Sequence, residues 1–351
     1  MSKLRKILLF PLGALYFAVT FVRNKLFDWN IFQSTSFDLP IICIGNIAVG
    51  GTGKTPHTEY LVRLLEKQYN IAILSRGYGR KTTAYTEATL KSTAEEIGDE
   101  PAQYKRKFPN TNVVVENKRV LGVQQILKRN AVTDVILLDD AFQHRAIKAG
   151  FNIVITDYNN LLQKDFLMPS GSLRESRQGI KRADAIIVSK CPVDLEVDEQ
   201  NEIRKNLAYH TPEHIYFTTI KYGRIYNIFD SQLRIENLNN YAVLLVTGIG
   251  KPKLLQKHIK TQTKKVSLLS YPDHHNFTNK DIQRIKSDFD NIKDKTKIIL
   301  TTEKDASRLL NITELKGLPI YSIEIEIEFL NKKNTFNTQI ELYVRKNKTN
   351  R

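Results

Sequence analysis

The segment Ile41-Ile42-Cys43-Ile44-Gly45-Asn46-Ile47-Ala48-Val49-Gly50-Gly51-Thr52-Gly53-Lys54-Thr55 constrains this chain more than any other. An apolar run passes into glycines and then Gly-Lys-Thr, and a helix-like stretch follows from Pro56 to Lys67. The order strand, glycine-rich loop, helix places the loop where backbone N–H groups and a helix N-terminus converge on an anion. In such a loop Ala48, Val49, Gly50, Gly51, Thr52 and Gly53 wrap the phosphates of a nucleotide. Lys54 reaches the β- and γ-phosphates, and the Thr55 hydroxyl binds Mg²⁺. Ala48 stands where the first glycine of the pattern usually sits.

Around this loop, apolar strand-like runs alternate with amphipathic stretches from Leu39 to about Phe217. Strands are expected at Pro40–Ile44, Ile71–Leu74, Val113–Val115, Val135–Leu138, Ile153–Thr156, Ala185–Val188 and Ile215–Phe217. Helices are expected at Pro56–Lys67, Pro101–Lys107, Lys118–Arg129 and Glu196–Tyr209. The fold class is therefore α/β, with a parallel sheet like that of phosphate-loop nucleoside triphosphatases, helices on both faces and the ligand at the carboxyl ends of the strands. A second, smaller α/β series begins at Tyr241, with strands near Val243–Val246, Val266–Leu269 and Ile298–Thr301. Its helices are expected at Pro252–Lys260, Asn279–Phe289 and Asp305–Leu310. Strand-like runs at Pro319–Ile325 and Thr338–Val344 close it. The expected division is an N-terminal helix in 1–30, a phosphate-loop domain in 31–220, a linker in 221–240, a smaller domain in 241–344 and a basic, disordered tail in 345–351.

Charge narrows the class of partner. The chain has 351 residues, 41% hydrophobic and 26% charged, which suits a folded globular protein, but its net charge of +16 points to anions or to simple solubility. The basic residues are scattered and form no nucleic-acid module, so no nucleic-acid partner is expected. Cys43 and Cys191 match no metal-ligand spacing. Near the N-terminus, Lys3, Arg5 and Lys6 precede a nearly continuous apolar run from Ile7 to Val22, and Arg23 and Lys25 follow. No small-residue cleavage site ends the run, and Pro11 and Gly13 interrupt a segment already short for a membrane span. A helix lying in one leaflet, near anionic headgroups, is the expectation; a helix buried in the core is the alternative.

Several short motifs carry chemistry. Val135-Ile136-Leu137-Leu138-Asp139-Asp140 is an apolar strand ending in two acids, as the second Mg²⁺-organising carboxylate of a phosphate-loop enzyme is usually supplied. The same acids also suffice to cap a helix. Gln143 and His144 follow closely and are expected at the site. Gly98-Asp99-Glu100-Pro101 opens a helix, where Asp99 serves either as an N-cap or as a general base for a hydroxyl nucleophile. Ser75-Arg76-Gly77-Tyr78-Gly79 ends the second strand at the same sheet edge. With Asn46, Glu100 and His144 it supplies the candidate acceptor-side contacts. Pro169-Ser170-Gly171-Ser172-Leu173-Arg174-Glu175 offers Arg174 for charge on a transferring phosphoryl group and Glu175 for metal. In the second series, His274 of Tyr271-Pro272-Asp273-His274-His275-Asn276-Phe277 can orient a carboxylate across a cleft. Thr302-Glu303-Lys304-Asp305 ends a strand, with Asp305 suited to an N-cap. Ser189-Lys190-Cys191-Pro192 lies where a guanine-reading motif would carry an aspartate. Pro192 there argues for adenine or for weak base selection.

Read in order, GNIAVGGTGKTP, SRGYG, GDEP, DDAFQH, GSLRE, DHHNF and TEKD resemble the tetraacyldisaccharide 4'-kinase family, the lipid A kinases of Gram-negative bacteria, over most of the chain. The resemblance implies a phosphate-loop kinase domain, a smaller C-terminal α/β domain and an N-terminal membrane-associated helix. It further implies transfer of the γ-phosphate of ATP, with Mg²⁺, to the 4'-hydroxyl of a tetraacyldisaccharide 1-phosphate. The product would be lipid IVA, made at the cytoplasmic face of the inner membrane. By motif, Asp99 matches the family's base and His274 its partner. Lys54 and Thr55 match the phosphate and Mg²⁺ positions, Asp139, Asp140 and Gln143 the metal and nucleotide side, and Arg174 and Glu175 the later phosphate and metal cluster. Ala141 and Ser172 depart from the frequent glycine and proline without removing a functional side chain.

Overall fold

The computed structural model describes residues 3–162, 165–207, 214–263 and 265–348. The side chains of the basic flank Lys3, Arg5 and Lys6, the end of the expected helix at 208–209 and the tail end 349–351 lie outside what is described. In chain order the elements are α1 (Lys3–Asp28), β1 (Ile41–Gly45), α2 (Lys54–Leu65), β2 (Ile71–Ser75), β3 (Thr86–Glu87), α3 (Ala94–Ile97), α4 (Asp99–Lys107), β4 (Asn112–Val115), α5 (Arg119–Arg129), β5 (Val135–Asp139), β6 (Phe151–Asp157) and β7 (Ala185–Ser189). There follow α6 (Val197–Asn206), β8 (Ile215–Asn227), β9 (Arg234–Ile235), β10 (Ala242–Thr247), α7 (Pro252–Gln262), β11 (Val266–Ser270), α8 (Asn279–Asp290), β12 (Lys297–Thr302), α9 (Glu303–Leu309), β13 (Ile320–Phe329) and α10 (Lys333–Lys348).

The strands form one 13-stranded sheet in the order β11-β10-β12-β13-β8-β7-β6-β1-β5-β2-β4-β3, with β9 beside β8. β1 lies parallel between β5 and β6, with Ile44 opposite Asp139 and Ile42 opposite Phe151. Its unbroken apolar sequence follows from that position. Ile41 and Cys43 enter the core on one face, Ile42 and Ile44 the core on the other. The acids Asp139 and Asp140 thus arrive beside the loop after β1.

Two expectations at the C-terminal side are corrected. Residues 221–227, read as linker, belong to β8, which pairs with β7 over Ile215–Phe217 and with antiparallel β13 from Thr218 onward. One ribbon, β8 with β13, therefore joins the two halves of the sheet. Thr338–Val344, read as a strand, is helical and lies in α10, as do Arg345–Lys348 of the expected tail. Ile340, Leu342 and Val344 mimic strand alternation. The buried set, however, is Phe336, Ile340 and Val344, spaced at one helical turn. These pack in the first half, with Leu61, Ile153 and Tyr216, and the Tyr343 hydroxyl donates to the Ile41 carbonyl at 3.1 Å. The chain end thus returns to the phosphate-loop core instead of completing the smaller unit.

Where α2, α4, α9 and β13 meet, a buried ionic cluster forms. The Lys107 ammonium lies 2.8 Å from Glu59, 2.8 Å from Glu303 and 3.3 Å from Glu324. Arg63 and Arg224 also pair with Glu324, at 3.3 and 2.9 Å. Burial and the Glu303 charge push Glu59 up to about 7, against the pull of Lys107.

α1 runs from Lys3 to Asp28 with Pro11 inside it, and no helix among the described residues is long and apolar enough to cross a membrane. Leu12, Leu15, Val19 and Val22 leave apolar surface exposed along the helix. Its polar side chains dock on loops at the carboxyl ends of the strands. Tyr16 donates to the Arg174 carbonyl at 2.7 Å, Arg23 to the Gln143 carbonyl at 3.1 Å and Asn24 to Glu175 at 3.4 Å.

Candidate active site

Gly50 and Gly53 hold φ of +115° and +92°, a region where L side chains are strained, and so let the loop curl before α2. Gly53 caps α2 without a side-chain bond, leaving the first-turn N–H groups to face an anion. A second segment is strapped to this loop. Val49 N–H donates to the Ser172 carbonyl at 2.7 Å and Arg174 N–H to the Ile47 carbonyl at 2.8 Å. That strap fixes Arg174, whose guanidinium lies 3.1 and 3.2 Å from the two Asp140 oxygens. Lys54 reaches the same carboxylate at 3.5 Å. Burial would raise Asp140, but Lys54 and Arg174 outweigh it and hold it below the usual carboxylate range. Two cations thus converge on one point at the mouth of the loop.

Asp139 has the opposite fate. It is buried, and burial together with the Asp140 and Glu100 charges pushes it up to about 7. A desolvated carboxylate of this kind, at the end of the strand next to the one that leads into the Lys54–Thr55 loop, fits a hard divalent cation, which would remove the charge penalty. Mg²⁺ needs few protein ligands when phosphates supply the rest, and no group of three or more His, Cys, Asp or Glu with metal-binding geometry occurs among the described residues. Glu175 is placed differently from the metal expectation. Its oxygens accept from Arg182 at 2.9 and 3.0 Å, and one of them from Gln143 at 2.9 Å. Gln143 in turn donates to the Asn46 carbonyl at 2.7 Å.

Two expected acceptor contacts turn inward. Asn46 is wholly buried and donates to Thr52 Oγ1 at 3.0 Å, bracing the loop from beneath. Ser75 is buried and donates to Asp139 at 3.2 Å. Arg76 and Tyr78 remain exposed. His144 is half-buried; burial, then the charges of Arg119 and Arg76, push it down to about 4, so its ring is neutral.

A second cluster forms at the start of α4. Gly77 and Gly98 have φ of +67° and +94°, and a Cβ on Gly98 would lie 2.8 Å from Gly77 Cα. This close backbone approach brings the Arg76–Tyr78 turn to Asp99. Asp99 accepts from Arg308 Nε at 2.7 Å through Oδ1, and Arg308 Nη2 donates to Oδ2. His274 Nδ1 lies 2.9 Å from the same Oδ2. On the far side of the ring, Lys304 Nζ lies 2.9 Å from Nε2. An ammonium can only donate, so Nε2 accepts and the proton sits on Nδ1, facing Asp99. Lys304 also pairs with Asp273 at 3.2 Å and Glu100 at 3.4 Å, and Tyr78 meets the His274 ring edge-on at 5.3 Å between centroids. Asp99 and His274, far apart in sequence and in different halves of the sheet, are therefore in direct contact.

Sequence reasoning missed Arg308, which lies one helical turn after Lys304 on α9; that spacing was the available signal. Asp305 is structural, accepting from Thr302 Oγ1 at 2.7 Å and Gly248 N–H at 3.0 Å. At the other end of the loop, Lys190 bonds the Gly51 carbonyl. It pairs with Asp157 at 3.0 Å, and Lys251 of the second half reaches the same Asp157 at 2.9 Å.

Comparison with known proteins agrees over nearly the full length. The family described as Tetraacyldisaccharide-1-P 4'-kinase (LpxK) matches residues 5–345. The Tetraacyldisaccharide 4'-kinase of Bacteroides thetaiotaomicron is 46% identical over 97% of this chain and 94% of its own length. That of Flavobacterium psychrophilum is 45% identical over 100% of both. LpxK from Aquifex aeolicus, solved in complex with ATP, superposes with a TM-score of 0.77 at 26% identity, covering 97% of this chain and 99% of that one.

Proposed function

From the premise that the chain belongs to the tetraacyldisaccharide-1-P 4'-kinase family, we propose how its residues carry the reaction. The enzyme is an ATP-dependent lipid A kinase that phosphorylates the 4'-hydroxyl of tetraacyldisaccharide 1-phosphate. The nucleotide's phosphates lie along Ala48–Thr55. The acceptor hydroxyl enters between the loop and α4, where Asp99 takes its proton as the new P–O bond forms. His274, donating through Nδ1, aims the carboxylate. Lys54 and Arg174 offset charge on the phosphoryl oxygens, and this positioning supplies most of the acceleration. Thr55 and Asp139 would hold Mg²⁺, which supplies further charge neutralisation on the phosphates. Asp140 holds the two cations in place, and Glu175 holds Gln143 beneath the loop. Arg76, with the neutral His144 and Tyr78, faces the acceptor sugar. The observation that carries this reading is the 2.9 Å contact between Asp99 and His274, which joins the two halves of the molecule.

Labelled phosphate transfer from ATP to the disaccharide 1-phosphate in detergent micelles tests it, with mass spectrometry locating the added group. Transfer to any position but the 4'-hydroxyl would refute it. Lys54→Ala is expected to weaken equilibrium ATP binding and lower turnover together; an unchanged ATP affinity would remove Lys54 from the phosphates.

The exposed apolar residues of α1 suit a membrane surface, and the acyl chains of the acceptor remain in a bilayer. The membrane-facing role of α1, on the cytoplasmic leaflet, belongs to this proposal. Deleting residues 1–14 keeps the contacts made by Tyr16, Arg23 and Asn24. It should reduce co-sedimentation with anionic vesicles and raise the apparent KM for the lipid while sparing the KM for ATP. Unchanged sedimentation would count against a surface anchor.

A further inference from the structure

We propose that Arg308 is a positioning residue for the transfer, clamping both oxygens of Asp99 so that the carboxylate stays ionised and keeps one lone pair aimed at the acceptor. The inference rests on Asp99 being the base. Its support is geometric. Arg308 binds Asp99 in a fork, Nε to Oδ1 at 2.7 Å and Nη2 to Oδ2, and its third nitrogen, Nη1, donates to the His275 carbonyl at 2.9 Å. That last bond ties the guanidinium to the loop carrying His274. A planar fork held at a third point cannot rotate freely, so it fixes the plane of the carboxylate as well as its position. With His274 on Oδ2, three of the roughly four acceptor sites of the carboxylate are taken. The remaining one is the direction from which a hydroxyl can approach.

The surroundings explain why a cation is needed. Asp99 is buried, which by itself favours the neutral acid. Glu100 on α4, Asp273 on the His274 loop and Asp305 on α9 add negative charge nearby. Lys304, shared among Glu100, Asp273 and the His274 ring, makes no hydrogen bond to Asp99 and adds only a lesser, more distant positive charge. Against burial, the hydrogen bonds from His274 and Arg308, then the Arg308 charge and last the Lys304 charge, leave Asp99 below the usual carboxylate range. Arg308 is itself almost fully covered and pairs with Asp99 through both oxygens. The clamp also spans the molecule, from α9 in one half to α4 in the other, so an assembled fork reports that the halves are together.

The test is the pH dependence of kcat in the full-length enzyme, in micelles, for Arg308→Gln and Arg308→Lys, with Asp99→Ala measured alongside. Losing the cation raises the Asp99 pKa, and the base works only when ionised. The acid limb of kcat in Arg308→Gln should therefore move to higher pH by about 1–3 units, with the plateau down about 10²-fold. Arg308→Lys keeps a charge without the fork. Its limb should stay near that of the parent while its plateau still falls. The KM for ATP should hold in both. An unmoved acid limb in a folded, ATP-binding Arg308→Gln overturns the inference. Near-parental turnover in Asp99→Ala would instead overturn the base assignment beneath it, so the two failures are told apart.

Discussion

Asp99→Ala is expected to lower kcat about 10²–10⁴-fold while leaving the ATP dissociation constant nearly unchanged. The split follows from where the contacts fall. The residues converging on the phosphate loop are Lys54, Arg174 and Asp140, and none of them bonds Asp99. Among the described residues, the hydrogen bonds of the Asp99 side chain go to groups of the second half, His274 and Arg308. Removing it deletes the proton acceptor and leaves Arg308 without its carboxylate, but the nucleotide cradle keeps its strap to Ser172 and Arg174. Single-turnover phosphate transfer and equilibrium ATP binding, measured on the same preparation, check this. Turnover within a few-fold of the parent would show that the acceptor loses its proton elsewhere.

Lys107→Met is expected to destabilise the fold by about 3–5 kcal/mol, the usual cost of breaking a buried ion pair from one side. Lys107 is the ammonium shared by Glu59, Glu303 and Glu324, and Glu59 is wholly buried. Methionine matches the stem but supplies no charge, so these carboxylates repel one another at close quarters. The sign of the pH dependence follows. Burial and Glu303 already raise Glu59 to about 7, and Lys107 is the strongest influence holding it down. Without Lys107 its folded pKa rises further. A carboxyl whose folded pKa exceeds its unfolded value loses stability as pH climbs from the unfolded value through the folded one. The deficit of the variant should therefore be larger at pH 8 than at pH 5. Denaturant melts at both pH values decide the matter, and an equal deficit would mean the cluster is held by something other than this ammonium.

The parts of the fold visible in the sequence were those where burial acts on both faces of a strand. β1, β2, β5 and β7 read as unbroken apolar runs because each residue enters one core or the other. α10 was misread because Ile340, Glu341, Leu342, Tyr343 and Val344 satisfy two periodicities at once. Only the groove beside β1 selects the helical one. β8 was cut short because Lys221, Tyr222, Gly223 and Arg224 are polar and exposed enough to look like a connection. At the candidate site, residue type and order single out Asp99, His274, Lys54, Asp140 and Arg174, and the structure brings Asp99 to His274 and both Lys54 and Arg174 to Asp140. What order cannot convey is direction. Ser75 and Asn46 have the right chemistry and location, yet both point into the core as braces. Arg308 was hidden because an arginine on a short helix resembles any surface cation until its carboxylate arrives from another part of the chain.

The β8–β13 ribbon sets how the two halves can move. A loop swivels with little resistance, whereas a hydrogen-bonded pair of strands flexes like a leaf spring, along its own twist and with a restoring torque. Just beyond this ribbon α10 folds back onto the first half, with Phe336, Ile340 and Val344 in its core. Any relative movement of the two halves must therefore bend this ribbon, and the Asp99–His274 contact lies across the same junction.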